Sequence, residues 1–150
     1  MWNERYGSNE FAYGTEPNWL LAENAKLLTG PVLNLVADLA TYQPPADFYG
    51  SVVSISAHLP RDIRRRLYPL VEQCLKRGGI ILLEAYSKLQ LSRNTGGPKD
   101  GNMLMTAENV QKEFPNCQRL LCHEIEREVV EGVFHTGLAS VVQFIGKNKN

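Results

Sequence analysis

The chain has 150 residues, 43% hydrophobic and 21% charged, the size and make-up of one soluble globular domain. That length buries enough apolar surface to fold without disulfides or a metal, and the composition excludes a disordered chain. Lys plus Arg and Asp plus Glu are both 16, so the formal charge is zero; this argues against a broad surface for nucleic acid or an anionic membrane.

The stretch to Gly14 is aromatic and polar without a clean period, and it lacks the basic and apolar regions of a signal peptide. Thr15-Glu16-Pro17 is predicted to open a helix, with Thr15 as cap and Pro17 in the first turn. Gly30-Pro31 ends it. Val32 to Ala37 reads as a short buried strand with Asp38 at its carboxyl end, and Thr41 to Ala46 as a loop. Ser51 to Ala57 is a second strand. Pro60 starts the next helix, in which Ile63, Leu67, Leu70, Val71 and Cys74 make one apolar face. Gly78-Gly79 is predicted to stop that helix. Ile80 to Leu83 is a continuous apolar run, as expected of a strand covered on both faces. Ser87 to Met105 is a loop long enough to be functional. Thr106 caps a helix to about Phe114. Two strands follow, about Arg119 to Val130 and Phe134 to Ile145, with a turn at Glu131-Gly132, and they predict an antiparallel hairpin.

No apolar run is long enough to span a bilayer. Three cysteines, Cys74, Cys117 and Cys122, without C-x-x-C spacing predict a reduced, cytoplasmic location. Cys117, Cys122 and His123 lack the second ligand pair that a zinc site needs, so no metal is expected. Helices alternating with buried strands and a closing hairpin predict an α/β fold on a mostly parallel sheet. Ligands of such sheets sit outside the carboxyl ends of the strands, and those ends carry Asp38, His58 and Tyr86.

Several motifs run in order along nearly the whole chain. They are W-x-x-R-Y (Trp2, Arg5, Tyr6), Y-G-T-E-P-N (Tyr13 to Asn18), S-I-S-A-H-L-P (Ser54 to Pro60), G-G-I-I-L-L-E-A-Y (Gly78 to Tyr86), T-G-G-P-K-D (Thr95 to Asp100) and E-R-E-V-x-E-G-x-x-H-T-G (Glu126 to Gly137). As an ordered set they resemble class I S-adenosylmethionine-dependent methyltransferases of the tellurite-resistance and thiopurine methyltransferase-like group. The resemblance implies a Rossmann-like sheet flanked by helices, and S-adenosylmethionine as cofactor. One region departs from it. Gly30-Pro31-Val32-Leu33 resembles the start of the family's first strand, whereas Asn34 to Leu39 resembles the end of its third. The expected fold is therefore a single truncated domain over residues 1–150, with the junction near residues 33–35. The missing piece is on the order of 40 to 50 residues, at roughly 30 or more per βαβ unit. It would carry the Gly-rich turn and the acidic residue that binds ribose. No G-x-G occurs anywhere in the chain. By resemblance only Asp38 remains as a cofactor contact, to the adenine amino group.

The remaining candidates are substrate residues. His58 is either a base or substrate contact, or a histidine bonded to nearby backbone where the helix begins. Arg127 shares an apolar strand face with Leu121, His123, Ile125 and Val129, while Glu124, Glu126 and Glu128 take the other. An arginine there needs a partner: an anionic substrate, or a structural ion pair with a residue such as Glu84. His135 is placed near it across the hairpin, as a core histidine or a ligand. Tyr86, Thr95 and its loop, and the aromatic arm with Tyr13 resemble the segments that cover the family's substrate pocket, although plain packing of a terminal arm explains Trp2 equally well. Arg61, Arg64, Arg65 and Arg66 read as a solvated helix face.

Two functions follow. One is a non-catalytic, methyltransferase-like binding module with no cofactor, which self-associates as a dimer because the deletion exposes a strand edge. The other is an active methyltransferase whose cofactor site is rebuilt between subunits.

Overall fold

The computed structural model describes residues 15–33, 38–130 and 136–150. The aromatic arm with Trp2 and Tyr13, the part of the predicted first strand at 34–37, and the hairpin turn with His135 lie outside the described residues. Helix α1 spans Trp19–Asn24, α2 Arg61–Cys74 and α3 Ala107–Glu113. The strands are β1 Val32–Leu33, β2 Tyr49–Ile55, β3 Leu75–Tyr86, β4 Cys117–Val130 and β5 Thr136–Asn148.

These five strands form one sheet in the order β1-β2-β3-β5-β4. β1, β2 and β3 are parallel, with Val32 opposite Ser51 and Val52 opposite Ile81. β5 runs antiparallel to both β3 and β4. The predicted α/β architecture and the terminal hairpin are therefore present.

The apolar run of β3 is buried on both faces, as its composition requires. Ile80 and Leu82 pack with Leu20, Leu27 and Leu28 on the α1 side. Ile81, Leu83 and Ala85 pack on the opposite side with Leu67 and Val71 of α2, Val110 of α3 and Phe114. Phe114 stacks between Tyr68 (4.8 Å) and Phe144 (5.4 Å), joining α2 to the sheet.

Three expectations are corrected. The cap of α1 is Asn18, whose Oδ1 accepts from the Leu21 N–H, and not Thr15; the Asn18 side chain also reaches the sheet. Helix α2 stops at Cys74, four residues before the glycines. Gly78 and Gly79 instead sit inside β3, where Leu75 pairs with Tyr49 but Ile80 with Ser51. Gly78 adopts φ +77°, and a Cβ on Gly79 would lie 2.8 Å from the Lys76 carbonyl oxygen, so the pair forms a bulge that only glycine fits. The arginines of α2 are not a solvated face. Arg64 is buried, donating to the Leu59 and Asn102 carbonyls and pairing with Glu113, and Arg66 donates to the Leu39 and Tyr42 carbonyls. Only Arg61 and Arg65 are exposed. The predicted loop from Ser87 to Met105 is present; it contains two 3₁₀ turns, Lys88–Ser92 and Gly101–Met103, and its ends are joined by a parallel bridge.

The buried thiols predict an alkaline limit. Burial pushes Cys74 up to about 11, and burial with the neighbouring Glu72 pushes Cys117 up to about 12, from the ordinary 9.0. Both hold their protons in the folded chain after the unfolded chain has lost them, so stability falls as pH rises above about 9. The urea midpoint is expected to be flat from pH 7 to 8.5 and to drop between 9 and 11, with a shallower drop in Cys117→Val.

Candidate functional site

The candidate site lies where β2 and β3 end. Ser56, just past β2, is held at φ +54° and donates its N–H to the Glu84 carbonyl at 2.9 Å. This left-handed turn, costly for a non-glycine residue, bends the chain so that His58 comes back over β3. The His58 Nε2 accepts the Tyr86 N–H at 2.9 Å, and the two rings stack at 5.0 Å and 9°. A lone pair engaged in this way cannot also take a proton from a substrate. His58 therefore fixes the end of β3 by bonding backbone, one of the two roles foreseen for it.

Tyr86 is buried, and its hydroxyl lies 3.5 Å from the Thr95 carbonyl oxygen. The loop around Thr95 covers this ring. Thr95 Oγ1 donates to the Leu138 carbonyl and accepts from Gln90 Nε2. Gln90 is almost wholly buried; it also donates to the Gly96 carbonyl and accepts the Ser140 N–H. Arg93 pairs with Glu126 on the outer face. Gly97 sits at φ +87° against the Tyr86 ring, where a Cβ would approach Cδ2 to 2.5 Å. Gly97→Ala is expected to lift the loop off Tyr86 at a cost of about 1–3 kcal/mol. Faster limited proteolysis at Arg93 and Lys99 would report it.

Beneath this rim a polar row crosses the sheet on the α1 side. Glu84, Gln143 and His123 occupy one register line over β3, β5 and β4. Gln143 Nε2 donates to Glu84 Oε2 at 2.7 Å, and His123 Nε2 lies 2.9 Å from Gln143 Oε1, which it serves as donor. Glu84 Oε1 accepts from Asn18 Nδ2 at 2.7 Å and from Arg127 Nη2 at 2.5 Å. Glu84 is 3% exposed and the Arg127 side chain 14%. The arginine on the apolar face of β4 thus meets Glu84, one of the two partners foreseen. The carboxylate joins helix α1, the centre of the sheet and the hairpin at one point. The cleft shared by Ser56, Glu84, Tyr86, Arg127, Val129 and Val141 is too narrow to hold a water molecule.

Asp38 stands apart from this cluster. It is exposed and shapes its own turn: Oδ1 accepts the Ala40 N–H, and its carbonyl accepts the Thr41 and Tyr42 N–H groups. No helix of the described residues is long and apolar enough to cross a membrane, and no group of three or more His, Cys, Asp or Glu among them is placed to hold a metal.

Gln90, Gln143, Asn18 and Arg64 were not anticipated. Gln143 carried a signal, since one amide inside the apolar run Ala139 to Ile145 needs a buried partner. Gln90, between two leucines that are themselves exposed, and Arg64, in a run of charged residues, carried none.

The fold is similar to part of that of S-adenosylmethionine-dependent methyltransferases of known structure. TehB from Haemophilus influenzae superposes with a TM-score of 0.58 at 14% identity, over 77% of this chain and 40% of that one. A SAM-dependent methyltransferase from Methanosarcina mazei gives 0.57 at 13%, over 76% and 66%. The N-methyltransferase NodS from Bradyrhizobium japonicum gives 0.53 at 9%, over 76% and 58%, and that protein is also known in complex with S-adenosyl-L-homocysteine. The chain therefore spans between 40% and 66% of the length of these structures. No protein-family model and no curated protein matches the sequence.

Proposed function

We propose that the chain is a single-domain, methyltransferase-like binding module of the tellurite-resistance and thiopurine methyltransferase-like group, without the cofactor-binding segment and without methyl-transfer activity. One observation carries this. β1 lies parallel beside β2, yet only residues 34–48 connect them. In the doubly wound order the first strand neighbours the fourth, and two further strands with their helices intervene in sequence. Each βαβ unit takes roughly 30 residues or more, so fifteen residues cannot contain them.

The residues present do not fit S-adenosylmethionine. No glycine occurs between Gly30 and Gly50, so the sequence leaving β1 offers no Cβ-free position at which backbone could approach a ligand closely. The exposed Asp38 spends its carboxylate on its own turn. Titration calorimetry with S-adenosylmethionine and S-adenosylhomocysteine is expected to give no heat at millimolar ligand. Micromolar binding would overturn the reading. At one ligand per dimer, such binding would favour an active methyltransferase with a site rebuilt between subunits.

The same geometry supports self-association. β1 is an outer strand of the described sheet, and Val32 is 44% exposed with no charge or proline in β1 to blunt the edge. A symmetric dimer pairing two β1 edges is the simplest closed assembly. Light scattering is expected to show it at tens of micromolar; a stable monomer would retire it.

A further inference from the structure

An apolar space lies on the α2 side of the sheet, at the carboxyl ends of β1 and β2, away from the Glu84 row. It is a cavity of about 230 Å³. Val52 and Ser54 of β2 form its floor, Leu67 and Val71 of α2 one wall, and Leu39 and Tyr42 the other. Leu39 and Tyr42 pack against the core beside this space, and defined bonds fix their loop: Arg66 Nη2 donates to the Leu39 carbonyl at 2.6 Å and the Tyr42 carbonyl at 3.1 Å, and Asp38 closes the turn beneath. The wall is built by an arginine that the helix face would otherwise expose to solvent.

The lining states the chemistry of an occupant. Among the described residues it contains no Asp, Glu, Lys or Arg, so nothing there would balance a sulfonium, a carboxylate or a phosphate. Three hydroxyl residues interrupt the apolar surface: Ser54, Tyr42 and Tyr68. The Tyr68 hydroxyl is buried and, among the described residues, has no hydrogen-bond partner. An engineered apolar cavity of roughly 150 Å³ stays dry and takes up benzene. The larger space here suits a somewhat larger guest.

We propose that this cavity is a binding site for a compact, uncharged, largely apolar molecule of one or two rings that carries a single hydrogen-bonding group. The site deepens the reading of the chain as a binding module by naming its ligand class. The two can fail separately, because cofactor heat would overturn the loss of the S-adenosylmethionine site and leave the cavity untouched.

Indole is the probe. It is expected to raise the thermal midpoint by about 4 °C at ten times its dissociation constant. Ser54→Phe, which fills the floor of the cavity, is expected to remove that rise. Methyl NMR on the unmodified chain gives a test that does not depend on the variant folding: indole should shift Leu39, Val52 and Val71 and leave Val110 of α3 in place. The proposal is overturned by no midpoint change up to the solubility limit of indole, or by an equal rise in a folded Ser54→Phe. It is also overturned by shifts outside the lining, or by binding that weakens as protein concentration rises, which would give the cavity to a second copy of the chain.

Discussion

Glu84→Ala is expected to destabilise the protein by about 3–5 kcal/mol, measured by urea unfolding. The loss comes chiefly from what the substitution strands. Arg127 would remain in the interior without its carboxylate, and Asn18 and Gln143 would each lose an acceptor. Removing both charges gives the opposite test. Glu84→Leu combined with Arg127→Leu should cost clearly less than the sum of the single changes, because no uncompensated charge is left. A strictly additive result would mean that the pair is solvated and that the row does not join α1 to the hairpin. In either variant the α1 face should loosen first, since Asn18 caps that helix and binds Glu84 with the same side chain.

Phe114→Ala is expected to cost about 3–5 kcal/mol by the same measurement. The ring is buried between Tyr68 and Phe144 and belongs to the core that joins α2, α3 and the sheet. Phe114→Leu separates volume from stacking. It should recover most of the loss and retain a deficit of about 0.5–1.5 kcal/mol for the missing ring contacts. If Phe114→Leu is no better than alanine, the stack and not the filled volume holds α3 in place. Because Tyr68 also lines the apolar cavity, Phe114→Ala should weaken indole binding along with stability.

The elements were legible wherever one local period decided them. Leu67, Val71 and Cys74 on the buried side of α2, the double-sided burial of β3 and the alternation along β4 each follow from residues a few positions apart, whereas Ile63 and Leu70 of the predicted face are only partly buried and Arg64, Tyr68 and Glu72 are buried with it. The exact ends were not. Gly78-Gly79 has the composition of a helix stop, yet the helix ends where Leu75 begins to pair with Tyr49, and that pairing is set by a strand more than twenty residues earlier. The site was legible in part. Glu84 and Arg127 stand out because each is a charge among apolar neighbours, which limits their partners to one another or a ligand. Gln90 lies in a loop between Leu89 and Leu91, and Arg64 in a charged stretch of α2. Their burial depends on Ser140, Asn102 and Glu113, and nothing near them in sequence announces it. The proposed junction near residues 33–35 rests on the order of motifs, which no local period reports; the connection from β1 to β2 spans residues 34–48.

The position of β5 has a consequence for synthesis of the chain. β5 is made after β4 but lies between β4 and β3, and within the described sheet it is the strand that joins β4 to the rest. As the polypeptide leaves the ribosome, β1 to β3 can assemble with α2 while β4 waits with neither edge paired. The wait lasts about one to four seconds for residues 131–148 at roughly 5–20 residues per second. During it, fourteen extended residues are open to pairing with a neighbouring nascent chain. Arg119, Glu124, Glu126, Arg127 and Glu128 put charge on both faces of that strand, the property that discourages such pairing. The carboxylates that line the finished edge thus also guard the unfinished one.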